Sequence, residues 1–440
     1  MSQFLRPRCL RETFRSLAGF NYRVWAGAAF VSNVGTWMQR VAQDWLVFTQ
    51  LTHRNATAVG VVMALQFGPQ MLLLPWTGLA ADRFDRRKLL VLTQSAQGLL
   101  AAALGILTVL GVVQLWQVYA FALLVGCTTA FDAPARQIFV EELVDRAALS
   151  NAIALNSTSF SAARMIGPAL AGLIIAAVGT GWTFITNAIS FAVVVCALSL
   201  LRVHELHASC RAPTDHRRLA DDFRYLWNRP DLTAMVLMLF FMGTFGFNFA
   251  IFISTMVVSV FHQGPGGYGL LSAILAVGTF AGALTAAARS TSQFTHALGG
   301  AAIFGVSGIL AAVAPDVAVF AVALVIIGVS ALTFVTSTNT LMQISTEPAM
   351  RGRVIAIRLA VTMGGTTLGA PIVGWIADSF GPRCALGVGA ASGLAAAGAG
   401  INYLIRHRRM RVSLRGGRLR VELAPEKGVS HSRSPLASSG

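Results

Sequence analysis

Apolar residues run in blocks of roughly twenty between Tyr22 and Ile405, separated by short polar turns. Each block is long enough to cross a hydrocarbon layer about 30 Å thick as a helix. A helix satisfies its own backbone hydrogen bonds, which is what lipid demands of a spanning segment. The pattern predicts twelve helices, over 22–48, 57–81, 89–110, 115–134, 149–178, 182–201, 232–260, 268–288, 297–313, 317–339, 354–377 and 384–405. The expected fold class is therefore an all-α membrane protein, with six helices on either side of a long polar stretch.

That stretch organises the chain. A basic N-terminus (1–20) leads into a first bundle (21–202), a polar linker (203–230), a second bundle (231–405) and a basic tail (406–440) expected to be disordered. The halves look like a duplication. Ile153-Ala154-Leu155 matches Ile355-Ala356-Ile357, and the same offset carries Gly167 to Gly369 and Gly172 to Gly374. Helix five then corresponds to helix eleven. Small residues four apart, Gly278 and Gly282 or Gly389 and Gly393, suit close helix packing.

Composition agrees: 55% of residues are hydrophobic and 12% charged, far from the balance of a water-soluble domain. The net charge of +16 does not point to nucleic acid, because the basic residues share no single soluble face. They cluster between apolar blocks, around Arg6 to Arg15, Arg83 to Lys88, Arg202 to Arg218, Arg351 and Arg353, and Arg406 to Arg411. All of these fall on one side if both termini are cytoplasmic; the other side keeps Arg54 and Arg383. This is the positive-inside arrangement of a multi-pass inner-membrane protein. The tail arginines can rest on anionic lipid. Five cysteines without CxxC spacing indicate neither a disulfide framework nor a metal site. No small-residue cleavage site follows the first apolar block, so a retained first helix is expected.

Ionisable groups inside the blocks are few and costly. Arg40 and Asp44 lie four apart on one helical face beside Trp37, Gln39, Gln43 and Trp45, a spacing that allows an ion pair on a cavity wall. Two readings stay open for Asp44: a proton site, or half of a solvated pair near the outer interface. Asp132 and Arg136 bracket Pro134 at the expected cytoplasmic end of helix four, as a structural cap and gate or as part of a substrate site. Arg164, midway along helix five, calls for a partner, either Asp44, Asp132 or an anionic substrate.

The loop after the second helix reads Gly78-Leu79-Ala80-Ala81-Asp82-Arg83-Phe84-Asp85-Arg86-Arg87-Lys88. Through Gly78, Asp82, Arg83, Arg86 and Arg87 it resembles the signature of the major facilitator superfamily. Asp85 replaces the general pattern's glycine, as in the branch that holds enterobactin exporters and related efflux proteins. The resemblance implies two pseudo-symmetric six-helix bundles and makes Asp82 a conformational latch. Its carboxylate would face the N-terminus of helix eleven, where the helix dipole favours negative charge. Gly167-Pro168-Ala169-Leu170-Ala171-Gly172 resembles, in part, the helix-five motif of superfamily antiporters, with Ala171 in place of a glycine. In the resembled family helices one, four, seven and ten line the cavity, which implies a substrate site with Trp37, Gln43, Phe245 and Asn248.

No GxxxxGK[ST] loop, catalytic triad or cofactor motif is present, so an enzyme is not expected. The expectation is a secondary transporter, monomeric, exporting a small lipophilic or amphipathic molecule (drug, siderophore or metabolite) in exchange for protons. Asp44, Arg40 and Arg164 would couple the proton. The rivals are an uncoupled facilitator or importer, told apart by flux indifferent to a pH gradient, and a non-transporting sensor or secretion accessory.

Overall fold

The computed structural model describes residues 15–73, 76–77, 84–207, 224–287, 293–347, 350–407, 411–415 and 418–422. Among them are twelve helical passages: α1 Phe20–Trp45, α2 Ala56–Leu72, α3 Arg86–Val109, α4 Leu115–Glu142, α5 Arg146–Val178 and α6 Thr180–Leu200 in the first half. The second half holds α7 (Pro230–Phe241 and Phe249–Thr255), α8 Pro265–Ala287, α9 Phe294–Ala312, α10 Val317–Ser345, α11 Arg351–Phe380 and α12 Pro382–His407. Ten of these passages are long and apolar enough to span a membrane. The other two are α2, which is shorter, and α1, whose face carries Asn21, Arg23, Gln39, Arg40, Gln43 and Asp44.

Helix starts follow capping chemistry. Asn55 accepts from the Ala58 amide at 2.9 Å to open α2, and Asp316 accepts from the Val319 amide at 2.8 Å to open α10. Asp85, the departure from the family pattern, is the N-cap of α3 and accepts from the Lys88 amide at 3.1 Å. The first helix of each half ends alike. α1 widens into a π turn at Leu46–Leu51 and α7 into one at Met256–Val260, each followed by a left-handed histidine, His53 (φ 49°) or His262 (φ 52°).

Within the halves, α1 packs on α5 and α6, α3 on α4 and α6, α8 on α10, and α9 on α10 and α12. The most extensive contacts between the halves are α2 with α11 and α5 with α8. The duplication read from the sequence explains both. Gly167 lets α5 reach the α1 backbone at Val34 and Met38, and Gly369, at the same offset, lets α11 reach α7 at Thr244. Gly172 admits α8 at Pro265 and Gly269, and its counterpart Gly374 admits α2 at Ala56 and Thr57. The same residue types at the same offset thus make equivalent contacts, two inside the halves and two between them. Gly278 and Gly282 meet Val325 and Val329 of α10, while Gly389 meets Phe252 of α7 and Gly393 meets Gly305 of α9; all four serve close packing.

The structure moves three expectations. α4 runs past Pro134 to Glu142, because the chain continues in helix beyond the proline while Asp132 and Arg136 remain hydrogen-bonded on its inner side. α7 is broken at Phe247 and Asn248 rather than continuous. In the tail, Arg411–Arg415 pairs antiparallel with Arg418–Glu422, Arg415 opposite Arg418, where disorder was expected. The two segments alternate polar and apolar residues around Gly416-Gly417, a dipeptide that favours two-residue hairpin loops. Near the start of α7, Arg229 grips Asp231 with two bonds of 3.1 and 2.9 Å and donates to the Ser345 carbonyl at 2.9 Å. The bond to Asp231 raises the guanidinium's pKa further, so this tie between α7 and the end of α10 keeps its charge.

Candidate functional site: a polar cavity beside an interhalf carboxylate

With twelve passages the start of α1 and the end of α12 lie at one end of the bundle, called here the terminus side, and the interhalf contacts gather toward the other, called here the far end. There the carboxylate of Asp378, near the end of α11, accepts from the amides of Ala56 and Thr57 at 2.7 and 2.8 Å and from the Thr57 hydroxyl at 2.6 Å. An anion from the second half thus caps the N-terminus of a first-half helix. Gly60 lies against Ala370 and Pro371, and Gly269 against Gly172, so backbone meets backbone along both seams. The two halves are closed on each other at the far end.

Just inside that closure sits Asp44, 8% exposed. Tyr268 of α8 donates its hydroxyl to the carboxylate at 3.2 Å, and its ring stacks on Trp45 at 6.0 Å between centroids. The only spanning carboxylate in α1 is therefore hydrogen-bonded across the interface that must open during any alternating motion. The expected ion pair with Arg40 does not form among the described residues. Arg40 turns instead over the rings of Trp37 (4.8 Å) and Phe67 (5.8 Å), and Arg164 lies on Trp37 as well, at 5.2 Å. A guanidinium over an aromatic face is attracted to the ring's negative π cloud, which holds both arginines in place without neutralising either. Phe160 packs edge-on against the same indole at 5.9 Å.

On the terminus side of Asp44 opens a cavity of about 520 Å³. Most of its lining residues are of polar type: Arg40, Gln43, Gln66 and Gln97 from α1, α2 and α3, Arg136 from α4 and Asn156 from α5, among others. Gln66 donates to Gln43 at 3.2 Å, Asn187 donates to Gln39 at 2.6 Å, and Gln70 donates to the Gln66 carbonyl at 3.0 Å. Asp132 lies at its wall, 6% exposed, and is not a helix cap. It accepts from Thr93 at 2.8 Å, from Gln94 at 2.7 Å and from Arg136 at 3.2 Å. Four partners on α3 and α4 thus balance one another, and Arg136 also lies over Trp25 at 5.6 Å.

The remaining sequence candidates scatter. Gly78, Asp82 and Arg83, which carry the latch expectation, lie outside the described residues. Arg86 pairs with Glu142, and Arg87 donates to the Leu198 carbonyl at 2.8 Å, so these two tie the start of α3 to α4 and α6. Gly167, Pro168 and Gly172 lie at the α1–α5 and α5–α8 contacts. Trp37, Phe245 and Asn248 do not line the cavity: Trp37 carries the two arginines, Phe245 packs against the core, and Asn248, wholly buried, donates to the Thr244 carbonyl at 2.8 Å within the break of α7. The sequence reading overlooked three groups. Tyr268 and Asp378 sit at span ends, where polarity looks unremarkable. Arg358, seven residues into α11 and 9% exposed, has a buried Nε without a protein partner and was hidden among neighbouring arginines. No group of His, Cys, Asp and Glu able to hold a metal occurs among the described residues.

A two-bundle membrane helix fold with a closed end and a polar cavity defines a secondary transporter. Residues 13–428 match the family described as transmembrane secretion effector, and the chain belongs to that family of major facilitator transporters. It is 24% identical over 359 residues to the staphyloferrin A transporter of Staphylococcus aureus, covering 80% of this chain and 89% of that one. It is 26% identical to the multidrug efflux pump Tap of Mycolicibacterium fortuitum (80% and 88% covered) and 24% identical to the enterobactin exporter EntS of Shigella flexneri (81% and 84%). Solved structures share the fold. A POT family transporter in complex with 5-aminolevulinic acid superposes with a TM-score of 0.72 at 9% identity, covering 88% of this chain and 96% of that one. A bacterial homologue of the human lysosomal transporter Spinster does so at 0.65 and 15%, covering 87% and 95%. The protein is a multi-pass membrane transporter and not an enzyme.

Proposed function

We propose that this transporter exports a small amphipathic molecule in exchange for protons by alternating access, with Asp44 as the residue that takes up and releases the proton. One observation carries the reading: Asp44 is buried, its carboxylate is bonded by Tyr268 of the other half, and it adjoins cavity-lining Gln43. Burial disfavours the charged form of a carboxylic acid, and a hydrogen bond from a hydroxyl favours it. Separating the halves removes the Tyr268 bond and wets the site, so proton occupancy and far-end opening are linked. Arg40, one turn along, and Arg164 set the local field. The asymmetry of the arginine clusters favours an inner-membrane orientation with cytoplasmic termini. In that orientation the far end is external, and the cavity opens toward the cytoplasm from which an exporter loads. The names of the siderophore and drug exporters among the relatives favour the export direction.

The test is uptake of a fluorescent substrate into inside-out vesicles, with and without an imposed pH gradient, for the wild type and Asp44→Asn. Gradient-driven uptake should fall to background in the variant while downhill exchange persists. Uptake indifferent to both gradient and substitution would leave an uncoupled facilitator.

A further inference from the structure

We propose that the cavity in the first half takes an organic anion rich in hydrogen-bond acceptors, gripped at the wall by Arg40, while Arg164, which shares the Trp37 ring with Arg40 but does not line the cavity, adds to the positive field. This rests on the exporter reading only in treating the cavity as the transport site. Three independent features of the cavity agree.

The first is charge. Arg40 and Arg164 both lie over the ring of Trp37 and neither forms an ion pair among the described residues. The charges nearest them do not cancel this. Asp132 is matched by Arg136 at 3.2 Å, and Asp44 is held by Tyr268. Counting Asp44 as ionised leaves one positive charge in excess; counting it as protonated leaves two. Like charges held on one ring in a partly dry site favour an anion beside them, and Arg40 is the one of the two that lines the cavity.

The second is the hydrogen-bond inventory. The acceptor oxygens of Gln43 and Gln39 are taken by Gln66 and Asn187. The buried polar atoms of lining residues without a protein partner are Gln43 Nε2, Gln97 Nε2 and Arg136 Nη1, and all three are donors. Gln43 and Gln97 are 2% and 6% exposed. A buried donor is costly until an acceptor arrives; these three present almost no surface to the cavity, so a ligand oxygen meets them once their side chains turn toward it.

The third is shape and polarity. About 520 Å³ suits a molecule of some twenty to thirty non-hydrogen atoms rather than a single inorganic ion. Phe160 and Phe191 are the aromatic residues among lining side chains that are mostly of polar type but present more apolar than polar surface to the cavity. A lipophilic cation would leave every donor unmet and place its charge beside Arg40, so the arrangement selects against it.

The experiment measures thermal stabilisation of the purified full-length protein by organic ions of graded size: citrate, benzoate and taurocholate as anions, tetraphenylphosphonium and ethidium as cations. Each variant is read against its own unliganded midpoint, which separates loss of binding from loss of folding. The expected result is a midpoint raised by at least one anion and by neither cation. Arg40→Gln should raise the concentration for half-maximal effect at least about tenfold, as for a lost charge-assisted hydrogen bond, Arg164→Gln should raise it by less, and Arg40→Lys should restore part of the Arg40 effect. The proposal is overturned if a cation stabilises the wild type, if none of the three anions does so at millimolar concentration, or if the anion effect survives Arg40→Gln. Failure of the exporter reading looks different: anions would bind, yet inside-out vesicles would accumulate none under a pH gradient.

Discussion

At the residue scale, the charged groups of the first half include a network centred on Asp132, in which the charges balance, and the arginines Arg40 and Arg164, which have no ion pair among the described residues. Asp132 belongs to the first, and its four-member cluster with Thr93, Gln94 and Arg136 makes removal expensive, because Arg136 would be left as an unpaired buried charge. Breaking one side of such a pair costs about 3–5 kcal/mol. Asp132→Ala should therefore lower the thermal midpoint of the purified protein sharply, and the double change Asp132→Ala with Arg136→Leu should recover much of it. Tyr268 reaches in from the second half. Tyr268→Phe keeps the stacking on Trp45 and removes one hydrogen bond to Asp44. Such bonds inside membranes are worth about 0.6 kcal/mol on average, so pH-gradient-driven uptake should weaken by about threefold, with downhill exchange unchanged. Arg40 and Asp44 teach why spacing alone was insufficient. An i,i+4 interval permits a pair, but the aromatic faces of Trp37 and Phe67 offered Arg40 a competing partner that no local pattern reveals.

At the element scale, the far end is closed by helix termini as much as by side chains. Asp378 does for α2 what an N-cap residue does within one chain segment, except that it comes from the other half. Losing a cap costs about 1 kcal/mol, equivalent to about a fivefold shift of a two-state population. Nitroxide labels at Arg54→Cys and Phe380→Cys report that equilibrium, and Asp378→Ala should enlarge the long-distance fraction by about that factor. An unchanged distance distribution would remove Asp378 from the closure. The apolar blocks marked where helices run, and Asn55 and Asp316 marked where two of them start. The blocks did not mark the extension of α4 past Pro134 or the break in α7, because a proline or a polar residue in a helix is tolerated or not according to its neighbours.

At the scale of the whole molecule, the duplication becomes mechanical. Gly172 and Gly374 sit at equivalent places on α5 and α11 and make the two seams along which the halves meet. A side chain at Gly269 would press on the Pro168 carbonyl and the Gly172 backbone, neither of which can yield cheaply. Overpacking of this kind costs about 1–3 kcal/mol. Gly269→Val should hold the far end apart, abolish turnover and leave helical circular dichroism intact, whereas transport at the wild-type rate would show that the α5–α8 seam need not close.

What this sequence determined by itself is what depends on local periodicity and on the solvent: a membrane protein of twelve helices, its two halves, the glycines of the repeat, the transporter family and the short roster of costly ionisable residues. Hydrophobic length and small-residue spacing are properties of a single helix and can be read from one. Partnership is not. Asp44 with Tyr268 is 224 residues apart in the chain and Ala56 with Asp378 is 322, and no periodicity links them. Only packing of the two bundles decided that Asp44 bonds across the interface, that Arg40 and Arg164 share one indole, and that the polar face of α1 closes over a cavity with donors to spare.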